Sequence, residues 1–117
     1  MRGDLERREK ELNALRLALN QDPTNIELAD RYWAVIGFAQ SGGAVRDAYG
    51  EAAVASSAGA AALARASRDL FRRTGEMPKA VHFNEKLIQA LKHHLGTLTG
   101  QDHSNVEWVL QRLGVIP

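Results

Sequence analysis

Apolar residues recur along nearly the whole chain at intervals of three or four, which is the spacing of one face of an α-helix. Two clear stripes show this spacing, namely Leu5, Leu12, Leu15 and Leu19 near the start and Phe83, Leu87, Leu91 and Leu95 further on. The Asn-Gly and Asp-Gly dipeptides that are typical of β-hairpins do not occur. The sequence therefore predicts an all-α fold.

The length of the chain limits it to one domain. At 117 residues it can build one hydrophobic core, so residues 1–117 are predicted to form a single helical domain. Turn signals divide it into five to six helices: an N-terminal helix over 1–21, a helical hairpin over 24–57, a second hairpin over 60–95, and a C-terminal helix over 104–114. Short connections predict antiparallel neighbours. Stacked hairpins in a short solenoid and a compact bundle both fit this pattern.

Local signals predict where the helices begin and end. Thr24 and Ser104 each stand three residues before a glutamate, the spacing of a capping box, so both are predicted N-caps. Gly75 is predicted to close the fourth helix, and Pro78 is expected in the first turn of the fifth. The segment 57–59 is predicted to separate the third helix from the fourth.

Composition excludes several classes of function. The formal net charge of +1 is too small to predict binding to nucleic acid or anionic lipid from bulk charge. The absence of cysteine excludes disulfides, thiolate metal sites and cysteine nucleophiles. The longest stretch of low charge, residues 52–64, is too short to span a bilayer, and no signal peptide is recognisable. We therefore expect a cytoplasmic protein with no membrane contact.

The end of the first helix has a characteristic order of residues. Residues 14–25 form an Ala-Leu-containing segment that runs into Asp-Pro-x-Asn, and this resembles the end of a tetratricopeptide repeat. Phe71, Gly75 and Ala80 match an aromatic, a turn glycine and a small packing residue of that family. The resemblance covers roughly residues 14–91. Tyr32-Trp33 departs from it, because the family usually has Leu-Gly there.

The resemblance implies a right-handed stack of helical hairpins whose concave groove binds peptides or partner proteins. The first helix of each hairpin would line this groove, which selects the second and fourth helices as the binding surface. The candidate partner-binding residues on them are Asp30, Arg31, Ala34, Arg65, Arg68 and Arg72. Trp33 or Trp108 is the candidate hot spot if it lies beside the groove, because large aromatic residues dominate such interfaces. The predicted function is a non-enzymatic adaptor that binds a protein or peptide.

Two other kinds of partner remain open. Arg65, Arg68 and Arg72 form a stripe on one helix, which is typical of a solvated face but also suits an acidic peptide or nucleic acid. A small nucleic-acid-binding or regulatory protein is therefore the alternative function, although no nucleic-acid motif accompanies the stripe. A short stack also leaves partly apolar ends, so a homo-oligomer is a further expectation.

The histidines and serines predict no chemistry. His82 and His93 lie too far apart on one helix to share a metal, and the adjacent His93 and His94 point in different directions. A metal site completed by His103 or by another chain is the alternative. No serine lies in a Gly-x-Ser-x-Gly elbow. We expect no cofactor and no enzymatic activity.

Overall fold

The computed structural model describes residues 2–117, with the side chains of Arg2 and Phe38 left out, and it confirms the all-α prediction. Met1 lies outside the described residues. The described part of the chain forms six α-helices: α1 (Arg2–Gln21), α2 (Ile26–Ile36), α3 (Gly42–Ala55), α4 (Ser57–Thr74), α5 (Glu85–Leu95) and α6 (Gly100–Arg112). Two short 3-10 turns, Gly37–Ala39 and Ala80–His82, lie in the connections.

The helices are arranged as stacked pairs. α1 packs on α2, α3 on α4, and α5 on α6, while α3 also contacts both α1 and α5. α4 contacts α6, and the two run in the same direction, since Arg68 contacts Asn105 and Phe71 contacts Trp108. The result is an elongated body of 48 × 26 × 24 Å. Each helix after the second thus packs on its neighbour and on a helix two positions away.

The core is densest where α3 meets α4. α4 buries Leu63 and Leu70 together with a run of alanines, and α3 buries Val45 and Tyr49 against them. Alanine has a short side chain, so the two helix backbones can approach closely. The two backbones come closest at Gly59, where a Cβ atom would overlap the backbone carbonyl of Ala52. α3 and α4 therefore form the centre of the fold.

Both predicted capping boxes are wrong, although the structure has a helix in each of these two regions. The N-cap of α2 is Asn25, whose side chain accepts a hydrogen bond from the backbone N–H of Leu28, one residue later than the predicted Thr24. Asn and Thr compete for this position, and Asn is the stronger N-cap. Ser104 lies inside α6, which begins four residues earlier, after Thr99. Gly75 closes α4 in the left-handed conformation, with φ of 77°, as predicted.

Two other boundaries differ from the prediction. Ser56 alone separates α3 from α4, so the predicted break over 57–59 lies within the first turn of α4. Pro78 does not open a helix, because α5 begins only after Asn84, whose side chain accepts from Leu87 N–H. Of the predicted hairpins over 24–57 and 60–95, the first is not the main pairing, since α2 packs mainly on α1 rather than on α3, whereas α4 and α5 of the second do contact each other.

The two buried tyrosines predict a loss of stability in alkali. Burial raises the pKa of both Tyr32 and Tyr49 above the usual 10.0, against the opposing effects of Arg16 on Tyr32 and Arg65 on Tyr49. Above about pH 10 the unfolded chain loses these phenolic protons while the folded chain retains them, so the free energy of unfolding should fall as pH rises. Urea denaturation between about pH 8 and pH 11.5 measures this.

Tyr49→Phe is the matched variant for this prediction. It removes one titrating hydroxyl, so its stability should fall less steeply above about pH 10 than that of the wild type. Tyr32→Phe should also flatten the profile, and in addition it loses the 2.7 Å hydrogen bond that the Tyr32 hydroxyl donates to the Ala44 carbonyl oxygen. Identical profiles for the wild type and both variants would contradict the prediction.

Candidate functional site

A groove of about 460 Å³ separates α2 from α4 and is the candidate binding site. We call it the α2–α4 groove. Its residues recur on each helix at intervals of one, three or four, so each helix presents a single face to it. The lining residues are Ile26, Ala29, Asp30 and Trp33 from α2 and Arg65, Asp69, Arg72 and Arg73 from α4.

The groove stays open because other contacts hold α2 in place. Arg8 of α1 donates from Nε and Nη2 to the carbonyl oxygen of Val35, at 3.2 and 2.8 Å, and so caps the last turn of α2. The Tyr32 hydroxyl also ties α2 to the carbonyl oxygen of Ala44 in α3. These contacts leave the face of α2 that looks toward α4 uncovered, and Ile26 at one end of it is 63% exposed.

Trp33 and Arg73 form the most specific contact across the groove. The guanidinium carbon of Arg73 lies 4.7 Å from the centre of the Trp33 ring, which is a cation–π arrangement. Tyr32 packs on the same indole, with ring centres 5.5 Å apart. Trp33 is only 9% exposed, so it is mainly a core residue that offers a limited surface to the groove.

The charges in the groove are only partly compensated. Arg72 donates to Asp69 at 3.1 Å, but both side chains are largely exposed, so this ion pair adds little stability. Arg65 lies beside the buried Tyr49, where its positive charge opposes the rise in the tyrosine pKa that burial causes. Asp30 faces them from the wall formed by α2.

The structure brings together four of the predicted partner-binding residues and leaves out three. Asp30, Trp33, Arg65 and Arg72 line the α2–α4 groove. Arg31 and Ala34 are exposed on α2 but lie outside the residues that line it. Arg68 points toward α6 instead, where its Nη1 donates to Asn105 Oδ1 at 3.1 Å and its guanidinium carbon lies 5.6 Å from the Trp108 ring centre. The predicted arginine stripe is therefore divided between two sites.

Four groove residues were missed by the sequence analysis. Arg73, Ile26, Ala29 and Asp69 line the groove but were not among the predicted partner-binding residues. The helical spacing contained a usable signal: Ile26 and Ala29 share a face with Trp33, and Arg73 lies eight residues after Arg65. Extending each predicted face by one turn would have found them.

A second aromatic cluster lies between α4 and α6. Trp108 is 8% exposed, and the guanidinium carbons of Arg68 and Arg112 lie 5.6 and 5.2 Å from its ring centre. Phe71 contacts the same indole, with ring centres 5.5 Å apart. This cluster joins two helices and does not line the groove. Of the two candidate hot spots, Trp33 is the one beside the groove.

His94 serves a structural contact. His94 Nε2 lies 3.4 Å from the carbonyl oxygen of Val54, so it is the protonated nitrogen, and Nδ1 can accept from the Ser57 hydroxyl at 3.2 Å. Thr97 bonds the same hydroxyl, and the network fastens the end of α5 to the turn between α3 and α4. Among residues 2–117, no three His, Asp or Glu side chains form a group that could hold a metal ion.

Comparison with known proteins adds no family to this description. No protein-family model, curated protein or solved structure matches the chain. Within the described range, no helix has both the length and the apolar character needed to cross a membrane.

Proposed function

We propose that this chain is a non-enzymatic helical module that binds a segment of another protein, or a peptide, in the α2–α4 groove. The observation that carries the proposal is the open groove itself, in which a nearly buried tryptophan, a stacked guanidinium and an uncovered isoleucine face the same space. Tryptophan and arginine are the residue types most enriched among binding hot spots.

The size of the groove favours a short segment over a folded partner. A volume of about 460 Å³ accommodates a few side chains, in the range of pockets that hold small ligands. The tetratricopeptide resemblance adds no support from the stacking, because the helix pairs are α1–α2, α3–α4 and α5–α6, which makes α2 and α4 second helices, whereas the resemblance assigns the groove to the first helix of each hairpin. The alternative of nucleic-acid binding along the arginine stripe is less well supported, because Arg68 is engaged by Asn105 and Trp108.

The test is a selection of peptides from a random library on the immobilised protein, followed by affinity measurements on two matched variants. Ile26→Ser removes the exposed apolar side chain at the groove. It should weaken binding of the selected peptides about tenfold, which corresponds to losing the burial of one aliphatic side chain. Val81→Ser is the control, since Val81 is 77% exposed and lies outside the groove. It should leave the affinity unchanged.

Two results would count against the proposal. The first is a selection that enriches no peptide above the background of the empty support. Alternatively, the enriched peptides would bind Ile26→Ser and the wild type equally well, which would place their site elsewhere. Both variants change exposed positions, so their circular dichroism spectra and melting temperatures should match those of the wild type.

A further inference from the structure

The two walls of the α2–α4 groove differ in chemistry. The wall formed by α2 is apolar apart from Asp30, whereas α4 contributes three guanidinium groups and one carboxylate, those of Arg65, Arg72, Arg73 and Asp69. Three arginines against two aspartates leave the lining with a net positive charge. An occupant must therefore satisfy a cationic wall and an apolar wall at the same time.

Among the residues that the structure describes, two of the three guanidinium groups have no ionic partner. Arg72 is paired with Asp69 at 3.1 Å. Within the described part of the chain, no carboxylate forms an ion pair of 4.0 Å or less with Arg65 or Arg73. Arg73 holds its guanidinium carbon 4.7 Å from the Trp33 ring centre, and since a guanidinium carries five N–H donors, this contact leaves donors available to an acceptor. The groove thus holds guanidinium donors on Arg73 that have no ionic partner, while Arg65 also lies against the Tyr49 hydroxyl.

The apolar wall of the groove indicates that the occupant also carries an apolar side chain. Ile26 is 63% exposed, and Ala29 and Trp33 continue its surface along α2. A large aliphatic or aromatic side chain would cover this surface, whereas a phosphate backbone would leave it in water. From this combination we infer that the occupant is an acidic peptide segment with a large apolar residue beside a carboxylate. The carboxylate bonds Arg73 and Arg65, and the apolar side chain packs on Ile26 and Trp33.

This inference rests on the proposed function, because it specifies the partner of the same groove. The test uses three short, fluorescently labelled peptide pools that share the same leucine, isoleucine and phenylalanine content and differ only in one polar residue: glutamate, glutamine or lysine. At low salt, the glutamate pool should bind about tenfold more tightly than the glutamine pool, as expected for charge-assisted hydrogen bonds to guanidinium groups. The lysine pool should bind most weakly.

Three variants locate the effect. Arg73→Gln should remove the preference for glutamate over glutamine, whereas Arg112→Gln is the matched control, because Arg112 is also stacked on a tryptophan, Trp108, but outside the groove. Asp30→Asn removes a negative charge that faces the cationic wall, so it should tighten binding of the glutamate pool by roughly two- to threefold. If the groove had only a structural role, Asp30→Asn would not increase the affinity for the glutamate pool.

Each contrary outcome has a distinct meaning. Equal binding of the three pools, still weakened by Ile26→Ser, would overturn the inference and leave the proposed function intact. A single-stranded oligonucleotide that binds through Arg73 more tightly than the glutamate pool would overturn it in favour of a nucleic-acid ligand. A rise in mass with protein concentration that Ile26→Ser abolishes would overturn it in favour of a second copy of this chain.

Discussion

Replacement of Gly59 by alanine is expected to lower the free energy of unfolding by about 3 kcal/mol, which is more than the loss of about 1 kcal/mol that a typical single substitution causes. The added Cβ would overlap the backbone carbonyl of Ala52, and backbone atoms cannot move aside as a flexible side chain can. α3 and α4 would have to separate at the turn that joins them. Thermal and urea denaturation measure the loss, with a melting temperature lower by roughly 10 °C.

Gly50→Ala is the matched control for this prediction. Gly50 also lies within a helix, but a Cβ there would meet only the side chain of Arg46, at 3.6 Å, which is an ordinary contact. Alanine has the higher helix propensity, so this variant should gain about 0.5–1 kcal/mol. If Gly59→Ala were as stable as Gly50→Ala, the close approach of α3 and α4 would be wrong.

Gly59 also illustrates what the sequence could and could not predict about the fold. Apolar spacing was sufficient to predict an all-α chain of five to six helices. The glycine was interpreted as a break between helices, because glycine is unfavourable in a helix interior. Its actual role depends on the neighbouring helix, which comes too close to admit a side chain. A sequence pattern on one helix contains no information about such an approach.

Some of the predicted helix boundaries were wrong for a related reason. At the start of α2, two adjacent residues could each serve as the cap, and the structure uses Asn25 in place of Thr24. Before α5, Pro78 and Phe83 are both buried, which indicates that the connection is held against the core as an irregular segment with one 3-10 turn rather than as an α-helix. Tertiary contacts thus decided between local alternatives of similar propensity.

The candidate site was predicted in part. Asp30, Trp33, Arg65 and Arg72 were selected because their helices were expected to line a groove, and they do line one. Arg68 was included because it lies three residues after Arg65, but that spacing rotates it toward the edge of α4 that α6 covers. The sequence of α4 does not indicate which edge a distant helix will occupy, so the division of the arginines could not be predicted from it.

The two tryptophans lie in separate places, Trp33 at the groove and Trp108 between α4 and α6, and this leads to the second large expected effect. Trp108→Ala should lower the free energy of unfolding by about 4 kcal/mol, because truncating a buried aromatic leaves a cavity between α4 and α6. Arg112→Gln, which removes one of the two guanidinium groups over the same ring, should lower it by no more than about 1 kcal/mol. Urea denaturation of both variants measures the difference.

Peptide binding, unlike stability, should not change in Trp108→Ala. The chain has two tryptophans, and only Trp33 lines the groove, so Trp108→Ala should keep the peptide affinity of the wild type at temperatures where it is still folded. In this variant all indole fluorescence comes from Trp33, and its emission should change when peptide binds, because an occupant would displace water beside the ring. A full loss of affinity in folded Trp108→Ala would instead assign binding to the α4–α6 cluster, where Arg68 and Arg112 flank the indole. Trp108→Ala is therefore expected to lose stability without losing peptide affinity, because Trp108 joins α4 to α6 outside the groove.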